Sequence, residues 1–170
     1  MIPDAVAYPW PFAASPRRRV ISKNKNEKIM LPRGIRNHNP LNIRRTGKDQ
    51  WKGMAEVQSD RAFCQFKSLE YGWRAAFYLL TRTYYHKYRL YTIRGIITRW
   101  APSSENDTRA YIENVSRLTG IDPDEPIGIP SVKPSRWMAV GVAMAIQENG
   151  TSSIDWFAML KGWSLATQSV

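Results

Sequence analysis

Three glutamates lie among amide and aromatic side chains in segments whose composition favours loops or the ends of helices and strands. Glu56 follows Trp51 by five residues, and Glu105 follows the segment Trp100-Ala101-Pro102. Glu70 comes at the predicted start of a long helix. Carboxyl groups in such surroundings can cleave a glycosidic bond, because one of them protonates the leaving oxygen while a second group supports the oxocarbenium ion. The candidate catalytic residues are therefore Glu105, Glu56 and Glu70.

Each glutamate also has a purely structural explanation. Glu70 would lie in the first turn of a helix, where the helix dipole favours a negative charge. Glu105, with Asn106 and Asp107, would cap the helix that follows. Glu56 would face solvent on a strand. Because the dipole is a sufficient explanation for Glu70, this residue ranks below Glu105 and Glu56 as a general acid.

Other kinds of active site find little support in the sequence. Cys64 is the single cysteine, and the two histidines, His38 and His86, are far apart, so neither a disulfide nor a zinc cluster is expected. Neither histidine has a nearby serine or cysteine that would make it a convincing base, and no phosphate-binding glycine loop is found. We expect no cofactor and no metal, and we expect Cys64 to be a small buried apolar residue.

The chain is strongly basic, with 25 Lys and Arg against 14 Asp and Glu and a net charge of +11. Such a charge raises the local concentration of anionic partners, among which nucleic acid, anionic lipid and bacterial wall polymers all qualify. Six basic residues follow one another closely and predict a binding face. They are Arg33, Arg36, Arg44, Arg45, Lys48 and Lys52.

The composition changes near residue 30 and divides the chain into two parts. Residues 1–30 are rich in proline and in basic residues, which predicts a disordered or extended basic arm. Residues 31–170 are long enough for one folded domain. We find neither the pattern of a signal peptide nor an apolar run of the roughly 20 residues needed to cross a bilayer, so we expect no membrane span.

The spacing of apolar residues predicts a mainly helical fold. Helices are predicted after Ser68 and over residues 92–100, 107–119, 135–148 and 154–161. Short β-like runs at 41–45, 54–58 and 62–66 predict a small antiparallel sheet. The proline-rich segment 121–134 is predicted to be an irregular connection. The expected fold class is thus α+β, mainly α.

Five motifs follow one another over residues 31–122. They are Arg33-Gly34-Ile35-Arg36-Asn37-His38-Asn39-Pro40-Leu41-Asn42-Ile43-Arg44, Trp51-Lys52-Gly53, Phe63-Cys64-Gln65-Phe66, Gly72-Trp73-Arg74-Ala75, and Trp100-Ala101-Pro102 with Glu105-Asn106-Asp107-Thr108 and Tyr111. Together they resemble a family of phage and prophage virion proteins with a lysozyme-like domain. The motifs at 37–44, 51–53 and 63–66 are also similar to those of bacterial glucosaminidases of the flagellar and autolysin type, in which a glutamate soon after Trp-x-Gly matches Glu56.

The resemblance implies a lysozyme-like helical domain with a small antiparallel sheet. It implies a protein of the phage virion, or of the host cytoplasm before release, that binds peptidoglycan and cleaves its glycan strand. Amide, aromatic and basic side chains would bind the sugar units. The predicted substrate-binding residues are Arg36, Asn39, Asn42, Trp51, Trp100, Asn106 and Tyr111.

The sequence departs from the glucosaminidases at one point. Those enzymes place their principal acid on a helix ahead of the amide motif, whereas the glutamate upstream of the motif here is Glu27, in a stretch with no helical apolar stripe. This departure favours an alternative from another class. In that alternative the protein is a non-catalytic virion component that uses its basic arm and face to hold DNA or a neighbouring capsid or tail subunit.

Overall fold

The computed structural model describes residues 30–104 and 106–168 of the chain. The predicted arm lies outside the described residues, apart from Met30, and so does Glu105. The described residues form six α-helices and one π-helical segment. These are α1 (Arg33–Arg36), α2 (Leu69–Tyr78), the π-helical segment (Leu79–Lys87), α3 (Ile93–Trp100), α4 (Thr108–Thr119), α5 (Pro134–Asn149) and α6 (Trp156–Thr167).

Local sequence accounts for the ends of the helices. Asp107 and Asp155 cap α4 and α6, and each carboxylate accepts a hydrogen bond from the backbone N–H three residues further on. Gly120 and Gly150 end α4 and α5 with left-handed φ angles of 69° and 63°, which glycine adopts without a steric penalty. The predicted helices are confirmed, although α6 extends beyond the predicted end at residue 161 to Thr167.

The core is centred on the packing of α2 against α6. Trp73 and Phe77 of α2 stack with 5.4 Å between ring centroids, and Trp163 of α6 meets Phe77 edge to face at 5.1 Å. Gly162 lets α6 approach closely, because a Cβ atom at this position would collide with the Cβ of Trp73. Cys64 is completely buried, as predicted.

The predicted antiparallel sheet is wrong. The described residues contain no strand, and the β-like runs meet only through two isolated antiparallel bridges, Arg44 with Phe63 and Met54 with Phe66. Side-chain amides take the place of a ladder. Asn39 donates to the carbonyls of Ile43 and Cys64, while the side chain of Gln58 bonds both the N–H and the carbonyl of Gln65. The fold is therefore mainly α with irregular loops, not α+β.

Among the described residues, no helix combines the length and the hydropathy required to span a membrane. The segment between α4 and α5 contains neither helix nor strand, as its prolines predicted.

Candidate functional site

A cleft of about 360 Å³ opens between the end of α3, the end of α5, the π-helical segment and the loop after α1. Among the described residues, its wall combines the carboxylate of Glu148 with amides, aromatic rings and an arginine. The residues that matter here are Asn42, Arg44, Tyr84, Trp100, Asn106 and Glu148. We call this cavity the Glu148 cleft, after the carboxylate.

Glu148 lies in the last turn of α5 and is held by donors from three other parts of the chain. Its Oε1 accepts hydrogen bonds from Trp100 Nε1 at 2.9 Å and from the Tyr111 hydroxyl at 3.0 Å. Its Oε2 accepts from Asn42 Nδ2 at 3.2 Å. Donors of this kind stabilise the negative charge of a carboxylate and fix its orientation. The side chain is thus pre-positioned at the cleft wall.

Tyr111 supports Glu148 from inside the protein. It is 5% exposed, and burial together with the neighbouring Glu148 carboxylate raises the pKa of its phenol well above the usual value. The phenol therefore keeps its proton and remains a hydrogen-bond donor to the carboxylate. This places Tyr111 behind the cleft wall, where it positions Glu148.

The loop after α1 brings Asn42 to the cleft. Asn42 has a φ of 50°, a left-handed conformation that asparagine tolerates better than most residues. Its backbone N–H bonds the carbonyl of Asn39, and Asn149 of α5 donates to the carbonyl of Pro40 at 2.8 Å. Gly34 allows the close approach, since a Cβ there would lie 2.9 Å from Asn42 Oδ1 and would collide with Asn149 Oδ1.

An ion pair fixes the part of the cleft that contains Phe63. Asp60 accepts two hydrogen bonds of 2.7 Å from the Arg33 guanidinium, one of 2.7 Å from Asn37, and two from the backbone N–H groups of Ala62 and Phe63. The Arg33 guanidinium holds the pKa of the Asp60 carboxyl well below its usual range, with further help from these donors. Arg33 also lies over the Phe63 ring, 4.5 Å from its centroid.

Four predicted substrate-binding residues come together at this cleft. Asn42, Trp100 and Asn106 line it, and Tyr111 lies behind Glu148. The resemblance had grouped these four residues in one site, although they belong to α3, α4, the segment between α3 and α4, and the loop after α1, which are far apart in the chain.

The other three predicted substrate-binding residues lie elsewhere. Asn39 is completely buried, and its amide donates to two backbone carbonyls at 3.0 and 2.9 Å, so it holds the loop together. Arg36 is exposed, and its Nε donates to the backbone carbonyl of Leu31. Trp51 lines a different pocket.

Two of the candidate catalytic glutamates do not line the Glu148 cleft. The side chain of Glu56 is 89% exposed and lies 3.6 Å from Lys67 Nζ. Glu70 lies in the first turn of α2. A hydrogen bond from the Ser68 hydroxyl lowers the pKa of its carboxyl, and a hydrogen bond from a backbone N–H lowers this pKa further. Glu105 is outside the described residues, so its role remains a prediction.

Glu148 itself was missed by sequence reasoning. It belongs to Gln147-Glu148-Asn149-Gly150, whose composition indicates only the polar end of a helix stopped by glycine. Its one sequence signal is that it lies at the polar end of a helix that is apolar on most sides, and residues 140–145 of that helix are all buried in the structure. A helix end often carries a solvated glutamate, so this signal was weak. Among the described residues, no group of three or more His, Cys, Asp or Glu could hold a metal ion.

Comparison with known proteins gives one clear relationship. No protein-family profile matches the chain. The chain is 41% identical over 133 residues to Protein P5 of Pseudoalteromonas phage PM2, an alignment that covers 77% of this chain and 79% of that protein. This similarity supports the phage part of the predicted resemblance and says nothing of a lysozyme-like domain. The chain therefore belongs to the phage protein family of Protein P5.

Proposed function

We propose that this chain is a virion protein that binds peptidoglycan and cleaves its glycan strand in the Glu148 cleft. The observation that carries the proposal is a carboxylate held at the wall of a cleft that also contains the Trp100 indole and the Asn42 and Asn106 amides. Carboxylate, aromatic ring and amide are the groups that the sequence suggested for a glycosidase. The membership of a phage protein family is compatible with a role in the virion.

The position of Glu148 suits the stabilisation of a positive charge. Hydrogen bonds from Trp100, Tyr111 and Asn42 hold its carboxylate in one orientation. A fixed negative charge beside a sugar ring stabilises an oxocarbenium-like transition state, and it does so without reorganisation during the reaction. In this role Glu148 neither gives up nor takes a proton.

A second carboxyl group has to protonate the leaving oxygen. Asn106 lines the cleft, and Glu105 precedes Asn106 in the chain. Glu105 is therefore our first choice for the general acid. Glu56 and Glu70 rank lower, because neither lines the cleft.

The remaining cleft residues suit an N-acetylated amino sugar. Trp100 is partly exposed and offers apolar surface to the flat side of a pyranose ring, while the buried Tyr84 ring meets it edge to face at 6.2 Å and supports it. The exposed amide of Asn106 can both donate and accept, which matches sugar hydroxyls and acetamide groups, whereas the amide of Asn42 already donates to Glu148 and holds it in place. A peptidoglycan glycan strand presents all of these groups.

The proposal is tested with purified peptidoglycan from walls of several chemotypes. The parent protein, Glu148→Gln and Glu105→Gln are incubated with it, and the released products are analysed by mass spectrometry. The matched control is Glu113→Gln on the exposed face of α4, where Glu113 pairs with Arg109. We expect the control to retain activity, and we expect each of the other variants to lose on the order of 10²- to 10⁴-fold in rate while still pelleting with the wall.

Circular dichroism of each variant shows whether a lost activity reflects a lost fold. If Glu148→Gln keeps both its fold and the parent rate, Glu148 has no part in the chemistry. If the parent releases nothing from any wall, the enzymatic proposal fails.

A non-catalytic virion component is the second candidate, and one observation favours it. The hydrogen bonds of Glu148 join α3, α4 and α5 to the loop after α1, which is a sufficient structural reason for a carboxylate at this position. In this case the parent is inert towards peptidoglycan, and Glu148→Gln changes the melting temperature alone. The partner would be DNA or a neighbouring virion subunit.

A further inference from the structure

A second concavity, of about 440 Å³, lies between α2 and the loop that contains Trp51. The loop contributes Lys48, Asp49, Trp51 and Lys52, and α2 contributes Arg74 and Tyr78. None of these residues lines the Glu148 cleft. We call this cavity the Trp51 pocket.

The loop of the Trp51 pocket is held in one shape by contacts within the chain. Asp49 accepts hydrogen bonds from the backbone N–H and the hydroxyl of Thr46, at 2.6 and 3.0 Å. Gly53 has a φ of 79° and lies so close to Tyr71 that a Cβ atom would collide with the ring. Only glycine satisfies both conditions. The pocket is thus formed before any ligand arrives.

The charge of the Trp51 pocket favours an anion. Of the described residues that line it, Lys48, Lys52 and Arg74 are basic and Asp49 is acidic, and both oxygens of the Asp49 carboxylate are already engaged by Thr46. Lys48 and Lys52 are exposed, so their ammonium groups are accessible to a ligand in the pocket. Arg74 is only 8% exposed and adds a fixed positive charge at the wall, where water screens it less.

The aromatic wall of the Trp51 pocket favours a ligand with a flat ring. Trp51 is partly exposed and meets Tyr78 edge to face, with 6.2 Å between ring centroids and 79° between planes. The Arg74 guanidinium lies 5.7 Å from the Tyr78 ring centroid on the same wall. A groove that combines cations with aromatic rings binds single-stranded nucleic acid, because the cations hold the phosphates and the rings stack on the bases.

We propose that the Trp51 pocket binds a nucleotide unit of single-stranded nucleic acid. The base stacks on Trp51, and the flanking phosphates contact Lys48, Lys52 and Arg74. The surplus of positive charge in the whole chain, +11, brings the strand to the surface. The pocket then retains it. This inference does not depend on cleavage in the Glu148 cleft.

The test measures fluorescence anisotropy of a labelled oligothymidylate bound to the full chain at several salt concentrations. Lys48→Ser/Lys52→Ser removes two pocket charges, and Lys133→Ser/Lys161→Ser removes two exposed charges elsewhere as the matched control. We expect the pocket variant to bind on the order of tenfold more weakly than the control. We also expect its slope of log affinity against log salt to fall by about 0.7 for each phosphate that the variant no longer neutralises.

Trp51→Leu tests the stacking part of the proposal. We expect it to weaken binding on the order of tenfold with an unchanged salt slope, because stacking releases no counterions. A duplex of the same length should bind the parent less tightly than the single strand, since paired bases cannot stack on Trp51.

Three results would overturn the proposal. The first is equal weakening by the pocket and control lysine variants, which would mean that net charge alone holds the strand. The second is equal binding of duplex and single strand. The third is that the parent binds peptidoglycan fragments and not oligothymidylate, and that Lys48→Ser/Lys52→Ser abolishes this binding of peptidoglycan. All the lysines exchanged are exposed, so these variants are expected to fold.

Discussion

Replacing Trp73 by alanine removes a completely buried aromatic side chain from the contact between α2 and α6. Trp73 is 1% exposed and stacks on Phe77, and Gly162 of α6 lies directly against it. A buried aromatic side chain removes roughly 150–250 Å² from water. At about 25 cal/mol per Å² this amounts to about 4–6 kcal/mol, of which alanine recovers a part. We therefore expect the free energy of unfolding to fall by about 3–5 kcal/mol.

The measurement is urea denaturation followed by far-ultraviolet circular dichroism. Trp156→Ala is the matched control, because Trp156 lies on α6 with 57% of its surface exposed and should cost about 1 kcal/mol or less. A domain of this size has a total stability of about 5–15 kcal/mol, so a Trp73→Ala protein that is unfolded without urea also agrees with the expectation. A loss under about 1 kcal/mol, or equal losses in both variants, would refute the packing of α2 on α6 described above.

Two further predictions concern contacts of the loop after α1. Because Arg33 lowers the pKa of Asp60, this carboxylate stabilises the fold above its unfolded pKa of about 3.9, and the contribution is lost as pH falls towards the folded value. Asp60→Asn should therefore be less stable than the parent at pH 7, and it should lose less stability than the parent between pH 5 and pH 2. Thermal melts of both proteins over this pH range measure the difference. Parallel pH profiles of the two proteins would contradict the prediction. Gly72→Ala should destabilise the domain by about 1–3 kcal/mol or more in urea, since its Cβ would collide with the His38 carbonyl oxygen. A loss below about 0.5 kcal/mol, which is typical of exchanges on an exposed surface, would show that this contact is not tight.

The sequence alone predicted the five longer α-helices, α2 to α6, but neither α1 nor the π-helical character of Leu79–Lys87. Apolar residues at a spacing of three and four, with Asp107 as a cap and Gly120 and Gly150 as stops, predicted α4 and α5 to within about a residue. These signals act over a few neighbouring residues, so they can be read without knowledge of the fold. The phage relationship was also recognisable, because it depends on motifs in the order of the chain.

The prediction of strands at 41–45, 54–58 and 62–66 was wrong for a physical reason. The runs around Ile43 and Cys64 have the composition of strands, and their backbones do approach each other. Strand composition cannot reveal that the buried amide of Asn39 will bond both carbonyls and take the place of a ladder. That outcome depends on burial, which is a property of the folded chain.

The carboxylate of the candidate site was revealed by the tertiary structure alone. Asn42 and Glu148 are 106 positions apart, and no motif or spacing in the chain joins them. Only the packing of α5 beside the loop after α1 brings the carboxylate to Asn42, Trp100 and Tyr111. Sequence patterns report which residue types a segment carries and which face of a helix is apolar. The fold decides which of them share a cleft, because that depends on contacts between segments far apart in the chain.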